Sequence, residues 1–92
     1  MPLAGKQEVA TFLDENRHWR QNGESLVAEF KFKDFNEAMG FVNRVAMAAE
    51  AANHHPDIEV RWNQVRLVLT THSAGGITEK DFKLATRIMS YV

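Results

Sequence analysis

The sequence lacks cysteine, which excludes disulfides, thiolate metal sites and thiol nucleophiles from the chemistry of the chain. It has no apolar run near the roughly 20 residues that span a bilayer, and its amino end lacks the charged start and continuous apolar stretch of a signal peptide. Neither sign of charge is in excess, because 11 Lys and Arg oppose 12 Asp and Glu. We therefore expect a soluble, cytoplasmic protein that binds no membrane and makes no direct contact with nucleic acid.

The length of the chain limits how much surface it can bury. Its 92 residues allow one small domain, which we expect to span residues 1–92. A domain of this size buries roughly 60% of the surface that the unfolded chain exposes, so its core is thin. Self-association would add buried surface, and we expect it for that reason.

Hydrophobic periodicity predicts a helix followed by a hairpin in the first third of the chain. Apolar residues at helical spacing favour a helix over about residues 6–15. Asn22-Gly23 predicts a type I′ turn, since both central residues of that turn take positive φ. Beyond it, residues 26–33 alternate between apolar and mostly polar side chains, as in a half-buried strand.

The second half of the chain adds another hairpin and a closing helix. Alternation before and after Asn63-Gln64 predicts two strands, and the capping-box pattern from Thr78 to Asp81 predicts the start of an amphipathic helix. The order α-ββ-α-ββ-α predicts an α+β fold with two layers, a four-stranded antiparallel sheet and helices packed on one face.

A long helix over residues 34–53 connects the two hairpins. It starts from the capping-box pattern DFNE, and its core-facing side is predicted to carry Phe35, Ala38, Met39, Val42, Val45, Ala46, Ala49 and Ala52. The opposite side is also mostly small or apolar, with Gly40, Phe41, Arg44, Met47, Ala48 and Ala51. This pattern favours a helix-to-helix contact between subunits, and the alternative is an alanine-rich helix with ordinary scattered exposure.

Histidines lie where predicted elements end: the pair His54-His55 before Pro56, and His72 at the end of the last strand. Imidazole exchanges protons near neutral pH, but adjacent side chains diverge and cannot chelate as an i, i+4 pair would. Three interpretations remain open on the residues alone. The histidines form a zinc site with Asp81, they bond to backbone at the ends of elements, or they form a metal-free acid–base site.

From Phe30 to the carboxyl end, the sequence resembles the pterin-4a-carbinolamine dehydratases. The resemblance rests on the segments FKFKDFNEAMGFVNRVAMAAEAANHHPDI and TTHSAGGITEKD. With Trp62 between these segments, the chain has Glu50, His54-His55-Pro56, Trp62, His72 and Asp81 at the family's spacing. The amino-terminal third matches the family only loosely, through Trp19 ahead of the first turn.

The resemblance implies a lyase that removes water from 4a-hydroxytetrahydrobiopterin to give quinonoid dihydropterin, without a metal or bound cofactor. Such an enzyme recycles tetrahydrobiopterin beside an aromatic amino acid hydroxylase. By the same resemblance, His54 and His72 are the general acids, while His55 binds and orients the ring and is a candidate base. Glu50, four residues before His54, is expected to orient or polarise it.

Other positions carry two interpretations each. Asp81 either contacts the substrate or caps the last helix, and Trp19 either stacks on the flat pterin or packs in the core. Thr70-Thr71 could offer hydroxyl or backbone partners to the polar edge of the pterin. Trp62 shares a predicted strand face with apolar neighbours, which favours the core over the pocket.

Partners are expected from the same comparison. We expect a homo-oligomer, a dimer or a tetramer, through the 34–53 helix and the sheet edges. Some members of the family bind the dimerisation region of a homeodomain transcription factor, so a protein-interaction module is the alternative function. A relative with altered chemistry, for example near molybdopterin synthesis, is disfavoured because His54, His55 and His72 are all present.

Overall fold

The architecture is two hairpins joined by a long helix, with a helix at each end. The computed structural model describes residues 2–92, in which the elements are α1 (Lys6–Glu15), β1 (Trp19–Asn22), β2 (Ser25–Lys31), α2 (Phe35–Ala52), β3 (Asp57–Arg61), β4 (Gln64–Leu69), a 3-10 turn (His72–Ala74) and α3 (Glu79–Met89). The strands form an antiparallel sheet in the order β1-β2-β4-β3. The predicted α+β class and the order α-ββ-α-ββ-α are confirmed. Across residues 2–92, no helix combines the length and apolarity needed to cross a membrane.

The core lies between the helices and the two central strands, β2 and β4. Ala28 pairs with Leu67 and Phe30 pairs with Val65, so apolar side chains of both strands form one continuous buried surface. Phe41 of α2 packs on Phe30 with 4.8 Å between ring centroids. Each large apolar side chain buried in this way contributes about 1.5–3 kcal/mol, which fixes α2 across the sheet.

Both ends of α2 have defined caps. The Asp34 carboxylate accepts a hydrogen bond from the Glu37 backbone N–H at 2.9 Å, as the capping pattern predicts. At the other end Asn53 is left-handed, with φ of 50°, and the next residue, His54, donates its backbone N–H to the Ala49 carbonyl at 3.1 Å. This closing hydrogen bond terminates the helix and fixes the chain direction at His54.

The predicted division of α2 into a core side and an outer side is partly wrong. Phe41 and Ala48, predicted on the outer side, are buried, whereas Phe35 is 50% exposed and belongs to the predicted core side. Met47 is outward as predicted and 72% exposed. Because the helix is apolar around most of its circumference, periodicity alone does not set its rotation, and contact with the sheet does.

The first hairpin turn lies one residue later than predicted. Asn22 pairs with Ser25, so the loop residues are Gly23 and Glu24 rather than Asn22-Gly23. Gly23 has φ of 61° and Glu24 does not have positive φ, which excludes type I′ and fits a turn that places glycine first.

The second hairpin also turns at a different place, at Trp62 and Asn63, since Arg61 pairs with Gln64. Trp62 adopts φ of 54° and is 70% exposed, so the expectation that it packs in the core is wrong. Asn63 is buried and its amide donates to the Phe32 carbonyl at 2.9 Å. This tertiary contact fixes the turn on Asn63 and leaves Trp62 at its tip.

Candidate active site

The candidate site is built around a buried pair of side chains, His54 and Asp81. His54 follows the end of α2 and is 8% exposed, while Asp81 lies in the first turn of α3 and is 0% exposed. His54 Nε2 and Asp81 Oδ1 are 2.5 Å apart. A carboxylate only accepts hydrogen bonds, so Nε2 is the donor and Nδ1 is the nitrogen left for other chemistry.

The other oxygen of Asp81 is held by two threonines. Oδ2 accepts from Thr71 Oγ1 and from the Thr78 backbone N–H, both at 2.8 Å, and the two threonine hydroxyls are also 2.8 Å apart. Thr78 is the N-cap of α3, and its Oγ1 accepts from the Lys80 N–H at 3.3 Å. The carboxylate thus has three donors, which offsets the cost of burying it.

Asp81 therefore both caps α3 and contacts a candidate catalytic histidine. From the sequence, capping and a role in the site were alternatives. In the structure both are present, because Asp81 forms a reciprocal capping box with Thr78 and also bonds to His54. Its carboxylate also bears a favourable charge at a helix N-terminus. The buried chain Thr71–Asp81–His54 holds the imidazole in one orientation.

Glu50 contacts His55 and not His54, contrary to the expected pairing. Glu50 Oε1 lies 2.6 Å from His55 Nε2, and both side chains are exposed. The expected geometry needs α2 to continue through residue 54, but the helix ends at Ala52 and the left-handed Asn53 redirects the chain. This places the second histidine of the pair, instead of the first, against the carboxylate.

His72 lies just beyond the sheet rather than in its last strand. β4 ends at Leu69, Thr71 pairs with Gly76 as an isolated bridge, and His72 begins the 3-10 turn as an exposed residue. His72 directly follows Thr71, whose hydroxyl contacts Asp81. The chain therefore carries His72 to the same region as the buried pair.

Two proposed substrate contacts lie elsewhere. Trp19 is 3% exposed and packs edge-on to Phe30 at 6.4 Å, which supports its core interpretation and not that of a stacking wall. Thr70 donates to the Glu24 carbonyl at 2.8 Å, so its hydroxyl stabilises the first hairpin turn. Of the threonine pair, it is Thr71 that joins the histidine network.

A groove of about 510 Å³ extends from His54 between α2 and α3. Small apolar side chains of α2 and Leu84 of α3 form its apolar lining, and Lys80, Lys83 and Arg87 line it on α3. Sequence reasoning missed these cations and the part that Thr78 plays in the network. The spacing of residues 80, 83 and 87, which is that of one helical face, was the available signal.

The zinc interpretation finds no support in this geometry. Among residues 2–92, no group of three or more His, Asp or Glu side chains is arranged to hold a metal ion. His54 Nε2 is instead directed at Asp81, and Asp81 Oδ2 at donors from Thr71 and Thr78. These contacts suit proton transfer by an oriented imidazole.

Comparisons with known proteins all lead to one family. A family model described as Pterin 4 alpha carbinolamine dehydratase matches residues 2–91. A Thermomicrobium roseum protein named "Putative pterin-4-alpha-carbinolamine dehydratase" is 55% identical over 80 residues, covering 87% of this chain and 86% of its own. A protein of the same name from a Nostoc species is 53% identical over 86 residues, with coverage of 94% and 92%.

Solved structures are similar as well. The crystal structure of a transcriptional coactivator/pterin dehydratase from Brucella melitensis matches with a TM-score of 0.93 and 34% identity, over 97% of each chain. A pterin dehydratase-like protein identified as a RuBisCO assembly factor in the alpha-carboxysome matches with a TM-score of 0.68 and 24% identity, over 79% of this chain and 87% of that one. At that identity the second likeness shows the fold alone.

Proposed function

Because this chain belongs to the pterin 4 alpha carbinolamine dehydratase family, we propose that it dehydrates 4a-hydroxytetrahydrobiopterin to quinonoid dihydropterin and water. The observation that carries the proposal is the buried Asp81–His54 hydrogen bond beside an open groove. In the cell this reaction would follow an aromatic amino acid hydroxylase and recycle tetrahydrobiopterin.

The proposed reaction is an elimination that needs two proton transfers. An acid donates a proton to the 4a hydroxyl as the carbon–oxygen bond breaks, and a base accepts the proton of N5 as the carbon–nitrogen double bond forms. Water leaves, and no electrons are gained or lost. Positioned side chains that supply such transfers accelerate a reaction by roughly 10²–10⁴-fold.

His54 is the best-positioned general acid. Its Nε2 is bound to Asp81, so Nδ1 is the nitrogen from which we expect a proton to reach the substrate hydroxyl. The threonine donors keep the Asp81 carboxylate in place, and that carboxylate stabilises the protonated ring. Asp81 is accordingly a positioning residue in this proposal.

His55 and His72 complete the proposed site from exposed positions. The bond from His55 Nε2 to Glu50 orients that ring and leaves Nδ1 to bind the pterin or accept the N5 proton. His72, beside Thr71, would serve as a second acid. In this proposal Glu50 orients His55, and not His54 as the sequence suggested.

The proposal is tested by generating the carbinolamine with a hydroxylase and following the formation of quinonoid dihydropterin. We expect wild type to accelerate dehydration. In His54→Gln and in His72→Gln the catalysed rate should fall by at least about tenfold, which is within the range of acid–base catalysis. His18→Gln is the control, because exposed His18 stacks on Phe30 away from the groove. No acceleration by wild type would refute the dehydratase function, whereas fully active His54 and His72 variants would refute the roles. Dialysis against a chelator is expected to leave the activity unchanged.

We also propose that the exposed surface of α2 mediates association with a second copy of the chain. Met47 is exposed near the middle of this helix, and Phe35 is exposed at its start. Binding of another protein is the alternative use, since the similar Brucella melitensis protein is described as a transcriptional coactivator/pterin dehydratase. Light scattering should give a multimer for wild type and a lower mass for Met47→Glu, with Leu3→Glu outside the helix as control. A monomeric wild type would contradict self-association.

A further inference from the structure

The groove between α2 and α3 carries more positive charge than the proposed dehydration needs. Lys80, Lys83 and Arg87 all lie on α3 and line it, and its other lining residues are His54 and apolar side chains. The ion pairs within 4.0 Å that the structure gives for residues 2–92 join Arg17, Arg20, His54 and His55 to carboxylates, and none involves these three cations.

The spacing of the cations places them in a row. Residues three or four apart on a helix are neighbours, so Lys83 is one turn from Lys80 and Arg87 one turn further. The row covers about 10 Å at a rise of 1.5 Å per residue. Because His54 bonds to Asp81 in the first turn of α3, the row leads away from the proposed acid.

Like charges at this spacing repel, and a bound anion would relieve that repulsion. Arg87 is further oriented by a hydrogen bond of 3.0 Å from its Nε to the Tyr91 hydroxyl. The same hydrogen bond raises the pKa of Arg87 above its usual value. Guanidinium and ammonium groups together suit the oxygens of a phosphate.

The groove also has an apolar part, and the two parts together indicate the ligand. Ala48 and Leu84 offer an apolar surface beside the cations, and His54 lies where α3 begins. We propose that the groove binds a phosphate ester on the side chain of the pterin, with the ring at His54 and the phosphate at Lys83 and Arg87. This inference rests on the proposed function and adds to its substrate, 4a-hydroxytetrahydrobiopterin, a preferred class of carbinolamines whose side chain is phosphorylated.

A kinetic experiment tests the substrate class. Carbinolamines bearing a phosphorylated or a free hydroxyl side chain are compared by kcat/KM at low ionic strength. We expect wild type to favour the phosphorylated compound by at least about tenfold, the effect of charge-assisted hydrogen bonds that remain partly exposed to water. In the variant Lys83→Gln/Arg87→Gln, kcat/KM for the phosphorylated compound should fall by at least about tenfold, so that the preference is lost.

A matched control is Lys31→Gln/Lys33→Gln, which removes the same charge from exposed residues outside the groove. It should keep the wild-type preference. Equal kcat/KM for both compounds with wild type would overturn the inference while the dehydratase function stands. A stronger preference for a carboxylate-bearing side chain would also overturn the assignment to phosphate.

A binding experiment keeps the groove testable if no dehydration is found. Inorganic phosphate and pyrophosphate are titrated into isotopically labelled protein, and amide shifts are followed by NMR. Saturable shifts confined to residues 80–87 and the end of α2, lost in Lys83→Gln/Arg87→Gln and kept in the control, support the anion site. Absent or scattered shifts overturn it. An inactive wild type refutes the dehydratase proposal, so the two failures are distinguishable.

Discussion

Replacing Asp81 with asparagine tests the central contact of the proposed site. The change keeps the size of the side chain but replaces one of the two acceptor oxygens with the NH₂ group of an amide, which only donates hydrogen bonds. In the protein, one oxygen faces His54 Nε2, and the other faces the Thr71 hydroxyl and the Thr78 N–H. In either orientation of the amide, its NH₂ group faces a side chain or backbone group that donates a hydrogen bond to Asp81 in the wild-type protein, so two donors face each other.

The magnitude follows from these contacts. A buried donor without an acceptor costs about 1–3 kcal/mol, and a weakened N-terminal cap costs about 0.5–2 kcal/mol. We therefore expect Asp81→Asn to lower the free energy of unfolding by about 2–4 kcal/mol. A domain whose free energy of unfolding is roughly 5–15 kcal/mol remains folded after such a loss. At about 4–8 °C per kcal/mol, Tm should fall by at least about 8 °C.

Three measurements separate the two roles of Asp81. Urea unfolding gives the loss of stability, kcat in the coupled dehydratase assay gives the effect on His54, and ¹⁵N NMR of the ring gives its tautomer. We expect kcat to fall about 10–100-fold, because the ring loses the carboxylate that orients it and stabilises its protonated form. The tautomer should shift away from the form protonated at Nε2.

The control is Glu79→Gln, which removes an exposed carboxylate from the same first turn of α3 without touching His54. It should cost about 0.3–1 kcal/mol through the helix dipole and leave kcat unchanged. A destabilised Asp81→Asn with wild-type kcat and tautomer would refute the positioning of His54. An unchanged free energy of unfolding would refute the structural half of the reasoning.

Two further substitutions test the network and the second hairpin. Thr71→Val should lower the free energy of unfolding by about 1–3 kcal/mol, because it removes a buried hydroxyl that contacts Asp81. Thr70→Val removes one hydrogen bond to a turn carbonyl and should lower it by only about 0.5–1 kcal/mol. Equal losses for the two variants in urea unfolding would contradict the network. Trp62→Asn should raise the free energy of unfolding by up to about 1 kcal/mol, seen as a higher urea midpoint. The reason is that asparagine tolerates the positive φ at which the exposed tryptophan is strained. A lowered midpoint would mean that packing of the indole outweighs the backbone strain.

The helices were predictable because each carries a local signal. α1 matches its predicted range, and α3 begins at the capping box of Thr78 and Asp81. The rotation of α2 was not predictable: its sequence is apolar on most sides, and only the position of the sheet decides that Phe41 points inward.

The turns depended on contacts that no local pattern contains. The buried amide of Asn63 bonds to the Phe32 carbonyl, 31 positions earlier, and this leaves Trp62 in a conformation that bulky side chains rarely adopt. The pairing of His54 with Asp81 likewise joins residues 27 positions apart. Sequence spacing identified both members of that pair as candidates, but their contact requires the packing of α2 against α3.

Asp81 has a further consequence for reading related sequences. Residues used for catalysis commonly reduce the stability of a protein, but this carboxylate supports the fold through Thr78 and Thr71. Selection for stability alone would retain it in a relative that had lost all chemistry. An aspartate at this position is therefore a poor diagnostic of activity, whereas the exposed imidazoles of His55 and His72, on which little of the fold depends, would be free to drift.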